Sequence, residues 1–226
     1  MFFRFLRRAG FVAKTLAIVL AALVLCLSLV YTVVTPVSTL MAWRKVTGAR
    51  VERVAVPLDG VSRSVSRALI ASEDARFCSH WGVDWRELAA VLRNADGPSR
   101  GASTISMQVA RNLFLWQGDS GPTAYLRKVL EIPLALGIDL VWSKRRMMEV
   151  YLNIAEWGPG GEFGVEVGAR RAFGKPAARL SPAEAAVLVS VLPNPIERDA
   201  RRPGPAVRRK AAIVTRRAVV ASIDCL

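Results

Sequence analysis

Residues 71–82 read Ala71-Ser72-Glu73-Asp74-Ala75-Arg76-Phe77-Cys78-Ser79-His80-Trp81-Gly82. This stretch holds two adjacent carboxylates, two aromatic rings and the only histidine of the chain. The residues before it carry apolar side chains at helical spacing: Val61, Val65, Ala68 and Leu69. We therefore expect Glu73 and Asp74 to emerge at the end of a helix whose apolar face is buried. A carboxylate at such a rim can serve as a general base or acid, although a solvated helix end with a Glu–Arg ion pair fits these residues equally well.

The composition indicates an anchored domain with an anionic partner. The chain has 226 residues, with 32 basic against 18 acidic side chains, a net charge of +14. Its hydrophobic content of 52% is high for a soluble domain, and its length suits an anchor plus one domain of roughly 150–180 residues. Such a charge balance favours nucleic acid, a membrane surface or a phosphorylated substrate.

Two local patterns exclude common kinds of site. Cys26, Cys78 and Cys225 stand far apart without a CxxC or Cys/His ligand spacing, so we expect neither a zinc site nor a disulfide framework. The glycine-rich residues 157–161 lack a preceding strand and the Rossmann spacing. We interpret them as a structural loop and exclude dinucleotide binding.

The N-terminal part predicts a membrane anchor. Residues 15–43 carry no charged side chain, and their core is long enough to cross a hydrocarbon layer of about 30 Å as a helix. A secretory signal, with its shorter apolar region and small-x-small cleavage site, fits less well. The basic N-terminus favours a cytoplasmic start and an external domain, although Arg44, Lys45 and Arg50 weaken that orientation. The predicted organisation is a cytoplasmic N-terminus over 1–14, a transmembrane helix over 15–36, a juxtamembrane linker over 37–56 and an external domain over 57–226.

The external domain is predicted to be mainly α-helical, because strand-like alternation is nearly absent. Capping-box patterns open helices at Asp84 and Ser181. Helices are predicted over 84–93, 103–116, 125–142, 143–151, 181–192 and beyond Pro205, with loops over 94–100 and 117–122.

A second polar pattern lies in residues 101–112. On a helix, Thr104, Gln108 and Arg111 fall on one polar stripe. A helix start with hydroxyls and free N–H groups, followed by an arginine on the same face, suits a phosphate or a sugar. A capped amphipathic helix with a solvated polar face is the alternative.

Two further charged segments follow. Arg127 and Glu131 share a helix face, which alone could be a surface ion pair of little energetic weight. Because residues 132–142 are almost wholly apolar, we expect this helix to run through the core and its charges to line a cleft. Residues 143–153 fit a basic amphipathic helix resting on anionic lipid.

Taken together, these segments resemble a known family. The motifs are Glu73-Asp74-x-x-Phe77-x-x-His80-x-Gly82, Gly101-x-Ser103-Thr104-x-x-x-Gln108-x-x-Arg111-Asn112, Arg127-Lys128-x-x-Glu131 and Glu149-x-Tyr151-Leu152-Asn153. Their order and spacing resemble the peptidoglycan glycosyltransferase domain of class A penicillin-binding proteins, and more closely the monofunctional biosynthetic peptidoglycan transglycosylases, over about residues 60–195. Met107 departs from the family, which commonly carries Gln there. No transpeptidase domain with a Ser-x-x-Lys motif is expected to follow.

The resemblance implies a lysozyme-like, mainly α fold and the polymerisation of lipid II. The acceptor's 4-hydroxyl displaces an α-linked diphosphate with inversion, forming a β-1,4 bond. The implied catalytic residues are Glu73 as general base and Glu131 as an organiser at the diphosphate, with a divalent cation (Mg²⁺ or Mn²⁺) as a candidate cofactor there. The implied substrate-binding residues are Arg111, Arg127 and Lys128 for the diphosphate, Ser103, Thr104 and Gln108 for the donor, and Asp74, Phe77 and His80 for the acceptor side. A purely structural His80 is equally compatible.

The implied partners are lipid II, the growing glycan chain and membrane lipid, with cell-division or elongation proteins as further candidates. The implied location is the bacterial inner membrane, with the catalytic domain in the periplasm. Nucleic acid is not expected, because the basic domain is predicted to lie outside the membrane. Two alternatives stay open: a membrane-anchored lytic muramidase or transglycosylase, which would not need the basic cluster, and a non-enzymatic cationic cell-wall scaffold, which would tolerate loss of Glu73.

Overall fold

The computed structural model describes residues 2–93, 103–117 and 122–226. The loop predicted over 94–100, and most of the loop predicted over 117–122, lie outside these residues. The chain divides into two units, residues 1–34 and 35–226.

The first unit consists of α1 (Phe2–Val30). Its segment Gly10–Val30 has a mean hydropathy of 2.5 and is long and apolar enough to cross a membrane. The prediction of one apolar N-terminal helix is confirmed.

The second unit is mainly α-helical, as predicted. Its helices are α2 (Thr39–Val46), α3 (Arg63–Glu73), α4 (Trp85–Arg93), α5 (Ile105–Phe114), α6 (Pro122–Val141), α7 (Lys144–Ile154), α8 (Val165–Phe173), α9 (Pro182–Val189) and α10 (Pro205–Ala218). α5 packs against α6 and α7, while α3, α9 and α10 pack against one another. Side chains in the core at most 2% exposed include Leu69, Phe77, Ile105, Met147, Tyr151 and Trp157.

The helix starts follow from their caps. Asp84 accepts hydrogen bonds from the backbone N–H groups of Arg86 and Glu87, each at 3.1 Å. Ser181 and Glu184 form the predicted capping box in front of α9. Thr104 caps α5, which is therefore shorter at both ends than the helix predicted over 103–116.

A small sheet was not predicted. Strands β1 (Glu52–Arg53), β2 (Glu156–Gly158) and β3 (Glu162–Phe163) align in the order β1-β3-β2, with β1 parallel and β2 antiparallel to β3. Strands of two or three residues are too short to show an alternating pattern in the sequence. β1 and α2 lie in the region predicted as a juxtamembrane linker, and both belong to the unit that starts at residue 35.

The fourth motif hydrogen-bonds to the backbone of the segment that follows β1, at Val56 and Leu58. The side-chain amide of Asn153 on α7 accepts from Val56 N at 2.9 Å and donates to Val56 O at 2.8 Å. Glu149, one turn earlier, accepts from Leu58 N at 2.9 Å. These contacts give Glu149 and Asn153 of the motif a structural role in the described part of the domain.

The expectation of no disulfide is wrong. Cys78 and Cys225 form a disulfide with their Cα atoms 5.5 Å apart, across a sequence separation of 147. The pairing arises because α10 packs on α3 and returns the C-terminal residues to the first motif. Sequence spacing alone does not reveal such a pair.

Candidate active site

The two carboxylates of the first motif have different surroundings. α3 ends at Glu73, and Asp74 leaves the helical conformation with φ −159° and ψ 75°. Glu73 lines a cleft of about 870 Å³ within the second unit. The side chain of Asp74 is only 2% exposed, against 14% for that of Glu73. The end of the helix therefore separates two neighbouring acids into different environments.

Three donors hold the carboxylate of Glu73. Its Oε1 accepts from Ser72 Oγ at 2.7 Å and from Lys210 Nζ at 3.1 Å. Its Oε2 accepts from Gln108 Nε2 at 3.3 Å. The Glu–Arg pair considered from the sequence is replaced by this lysine contact, because Arg76 pairs with Asp84 at 3.2 Å.

Asp74 joins the first motif to the start of α5. His80 Nε2 lies 2.9 Å from Oδ1 and 3.1 Å from Oδ2 of Asp74, and Oδ2 also accepts from Ile105 N at 2.9 Å. The rings of Phe77 and His80 meet edge to face with centroids 6.4 Å apart. Asp74 lines the cleft, whereas neither Phe77 nor His80 occurs among the described residues that line it.

The hydroxyl of Thr104 is used by the fold. It donates to Gly82 O at 2.5 Å and accepts from Met107 N at 3.1 Å as the cap of α5. Gly82 has φ +65°, and a Cβ there would lie 2.8 Å from Ala135 O, so the position requires glycine. Thr104 therefore precedes α5 as its cap rather than sharing a helical stripe with Gln108 and Arg111. Met107, the departure from the family, is 1% exposed.

Gln108 bridges the cleft carboxylate to the core. While its Nε2 donates to Glu73, its Oε1 accepts from the hydroxyl of Tyr151 at 2.9 Å. Burial, followed by the charge of Glu73, raises the pKa of Tyr151 well above its ordinary value of 10.0. The phenol therefore stays protonated and keeps donating to Gln108.

Arg111 lies on the same wall of the cleft as Gln108. Its Nε is buried and has no hydrogen-bond partner among the described residues. A guanidinium in this position can bind an oxyanion that enters the cleft.

The third motif forms a charged cluster on α6. Lys128 Nζ donates to Glu131 Oε2 at 2.7 Å and to Ser103 Oγ at 2.6 Å. Arg127 Nε lies 3.6 Å from Glu131 Oε1. Glu131 and Arg127 are 1% and 6% exposed as residues, whereas the side chain of Lys128 is 40% exposed.

This cluster adjoins the cleft through Ser103. Ser103 lines the cleft, whereas Arg127, Lys128 and Glu131 do not occur among the described lining residues. Gly101, which opens the second motif, lies outside the described residues. The surface-pair interpretation does not describe this cluster, because its acid is fully buried.

The described residues do not fit a protein-bound metal. They contain no group of three or more His, Cys, Asp or Glu side chains that could ligate one. Glu131 already engages Lys128 and Arg127. A divalent cation brought in with the diphosphate stays a prediction.

Sequence reasoning missed Lys210, which contacts Glu73 directly, and Tyr151, which supports Glu73 through Gln108. Tyr151 was part of a motif but carried no assigned role, and Lys210 lay in a basic C-terminal helix without any distinguishing signal. Arg217, two turns further along the same stripe of α10, also lines the cleft. Their contacts join distant segments, and no spacing within the sequence could have indicated them.

Comparisons with known proteins find related sequences over most of the chain. The family model described as transglycosylase matches residues 40–220. The biosynthetic peptidoglycan transglycosylase of Nitrobacter winogradskyi is 51% identical over 220 residues, covering 96% of each chain. That of Rhodopseudomonas palustris strain HaA2 is 51% identical over 97% of this chain and 96% of its own. That of Agrobacterium fabrum is 52% identical over 81% of this chain and 80% of its own.

Proposed function

This chain belongs to the transglycosylase family, an enzyme family of glycosyl transfer, and we propose that it polymerises lipid II into β-1,4-linked glycan strands with release of undecaprenyl diphosphate. The observation that carries the proposal is Glu73, held by donors from three segments in a cleft that also contains Arg111. A fixed carboxylate beside a cation is what an inverting displacement of a diphosphate needs.

Glu73 is assigned as the general base. It would take the proton from the acceptor's 4-hydroxyl as that oxygen attacks the anomeric carbon of the growing chain. Gln108 and Ser72 orient the carboxylate without competing for the proton, because each donates to it. Positioned bases contribute roughly 10²–10⁴-fold to the rate.

The leaving diphosphate is assigned to two cations: Arg111, which lines the cleft, and Lys128, which contacts Ser103. Lys128 is the best-placed member of the α6 cluster, since its side chain is half-exposed and its Nζ contacts a cleft residue. Glu131 is assigned as the organiser of Lys128 and Arg127. We assign Thr104 to the cap of α5 and leave donor binding to Ser103 and Gln108.

The proposed location is the inner membrane, with a cytoplasmic N-terminus and a periplasmic domain. Support comes from the apolar segment Gly10–Val30 and from the Cys78–Cys225 disulfide, because disulfides persist in oxidising compartments outside the cytoplasm. Protease added to intact spheroplasts should degrade the domain. Protection of the domain would contradict this orientation.

The function is tested by incubating the purified full chain with labelled lipid II and sizing the products. Polymerisation yields glycan strands of increasing length. A lytic enzyme would instead shorten preformed peptidoglycan, and a non-enzymatic scaffold would leave both substrates unchanged.

A further inference from the structure

Helix α10 presents two adjacent stripes to two different surroundings. Val207, Ala211 and Val214 are buried at helical spacing, and α10 packs against α3 and α9. The next stripe, Lys210, Ile213 and Arg217, lines the cleft together with Val214 from the buried stripe. The C-terminal helix therefore forms one wall of the proposed active site.

Lys210 reaches the proposed base from that wall. Its Nζ lies 3.1 Å from Glu73 Oε1, with side chains 29% and 14% exposed. Ser72 and Gln108 are neutral donors to the same carboxylate, so Lys210 adds a charge-assisted contact. Charge-assisted hydrogen bonds are roughly twice as strong as neutral ones.

The Cys78–Cys225 disulfide joins the segment that follows α10 to the turn that follows α3. Cys225 follows α10, and Cys78 lies in the turn Phe77–Ser79 that follows Glu73. The bond therefore links the chain beyond Lys210 to the chain beyond the base. α10 has an exposed, basic outer face and would otherwise be held on α3 and α9 by its narrow apolar stripe.

We propose that Lys210 is a positioning residue for Glu73 and that the Cys78–Cys225 disulfide keeps α10 docked so that Lys210 stays in place. Polymerisation then depends on the oxidation state of this cysteine pair. A dithiol reductant would convert the disulfide to two thiols while itself forming a disulfide. The inference rests on the proposed function.

The first experiment separates Lys210 from the general charge of the helix. Steady-state polymerisation of lipid II is measured for Lys210→Met, Lys210→Arg and the matched control Arg209→Met, whose exposed side chain precedes Lys210 on α10. We expect Lys210→Met to lower kcat roughly tenfold, the effect of losing one hydrogen bond to a charged group, with KM nearly unchanged. Lys210→Arg should restore most of the rate. An unchanged kcat in Lys210→Met, or an equal loss in Arg209→Met, overturns the inference.

The second experiment tests whether reduction of the disulfide lowers the rate through Lys210. In a Cys26→Ser background, the oxidised and dithiothreitol-reduced proteins are compared by kcat and by hydrogen exchange. Reduction should speed exchange in residues 205–226 and lower kcat, and it should lower kcat far less in Lys210→Met. Equal fold-losses on reduction with and without Lys210, or unchanged exchange in α10, overturn the inference.

The two proposals fail in different ways. A wild-type protein that does not polymerise lipid II overturns both. An active wild-type protein whose rate is abolished by Glu73→Gln but unaffected by Lys210→Met and by reduction overturns only the inference about α10.

Discussion

His80 Nε2 lies 2.9 Å from Asp74 Oδ1, and both side chains are buried. The same carboxylate accepts from Ile105 N, so it fastens the turn after α3 to the start of α5. His80 and Asp74 thus hold together the two helix ends that carry Glu73 and Gln108. Their contribution to catalysis would be indirect.

Replacement of His80 should therefore act on stability. His80→Ala leaves a buried carboxylate without one partner, and we expect a loss of about 3 kcal/mol in the free energy of unfolding. Urea unfolding of the full chain in detergent, followed by circular dichroism, measures the change. Trp81→Ala, at a neighbouring residue 72% exposed, should change it by less than about 0.5 kcal/mol. Comparable losses in the two variants would refute the structural assignment.

Tyr151→Phe should lower polymerisation several-fold, because it leaves Gln108 Oε1 without its donor and loosens Gln108 on Glu73.

Since the pKa of Tyr151 is raised by burial, its hydroxyl stays protonated in the folded state above pH 10. The unfolded chain ionises there, so this residue's stabilisation is complete below about pH 10 and is lost as the pH rises further. Unfolding midpoints of both proteins from pH 8 to 11 should converge; a constant difference would argue against the assignment.

Substitutions in the α6 cluster should have two different effects, one on substrate binding and one on stability. Lys128→Ala removes a half-exposed cation and should raise KM for lipid II with little loss of stability. Arg127→Ala removes a buried partner of Glu131 and should cost about 3 kcal/mol of unfolding free energy. Kinetics and urea unfolding of both variants make the comparison. A Lys128→Ala variant with wild-type KM would mean that this lysine does not meet the substrate.

The Lys175–Glu184 pair should give an acid-dependent contribution to stability. Its Nζ–Oε1 distance is 2.7 Å, and hydrogen bonds from Lys175 and from Ser181 lower the pKa of Glu184 to about 2, from 4.5. Because the folded-state pKa is depressed, the stabilisation is present above pH 4.5 and disappears as the pH falls toward 2. The difference in unfolding midpoint between the wild type and Lys175→Met should shrink over that range. A difference that does not vary with pH would rule the pair out as its source.

The sequence predicts local features of this protein well and long-range ones poorly. The caps at Asp84 and Ser181 depend on neighbouring residues and were predicted at their positions. One apolar N-terminal helix was also predicted, although α1 ends at Val30 and not at residue 36. The disulfide, the short strands and the contact of Lys210 with Glu73 depend on how α10 and β1 return to distant segments. Thr104 illustrates the boundary between the two: a helical stripe was predicted, but its hydroxyl serves as a cap and bonds to Gly82.

The most direct test of the account is single-turnover polymerisation of lipid II by Glu73→Gln and Asp74→Asn side by side. Glutamine keeps the shape of the side chain but cannot accept the proton, so the rate should fall by roughly 10²–10⁴-fold while lipid II still binds. Asp74→Asn keeps an acceptor for His80 and Ile105, so it should lower the rate less than Glu73→Gln does. Near wild-type turnover by Glu73→Gln would contradict the account, because the base would then lie elsewhere.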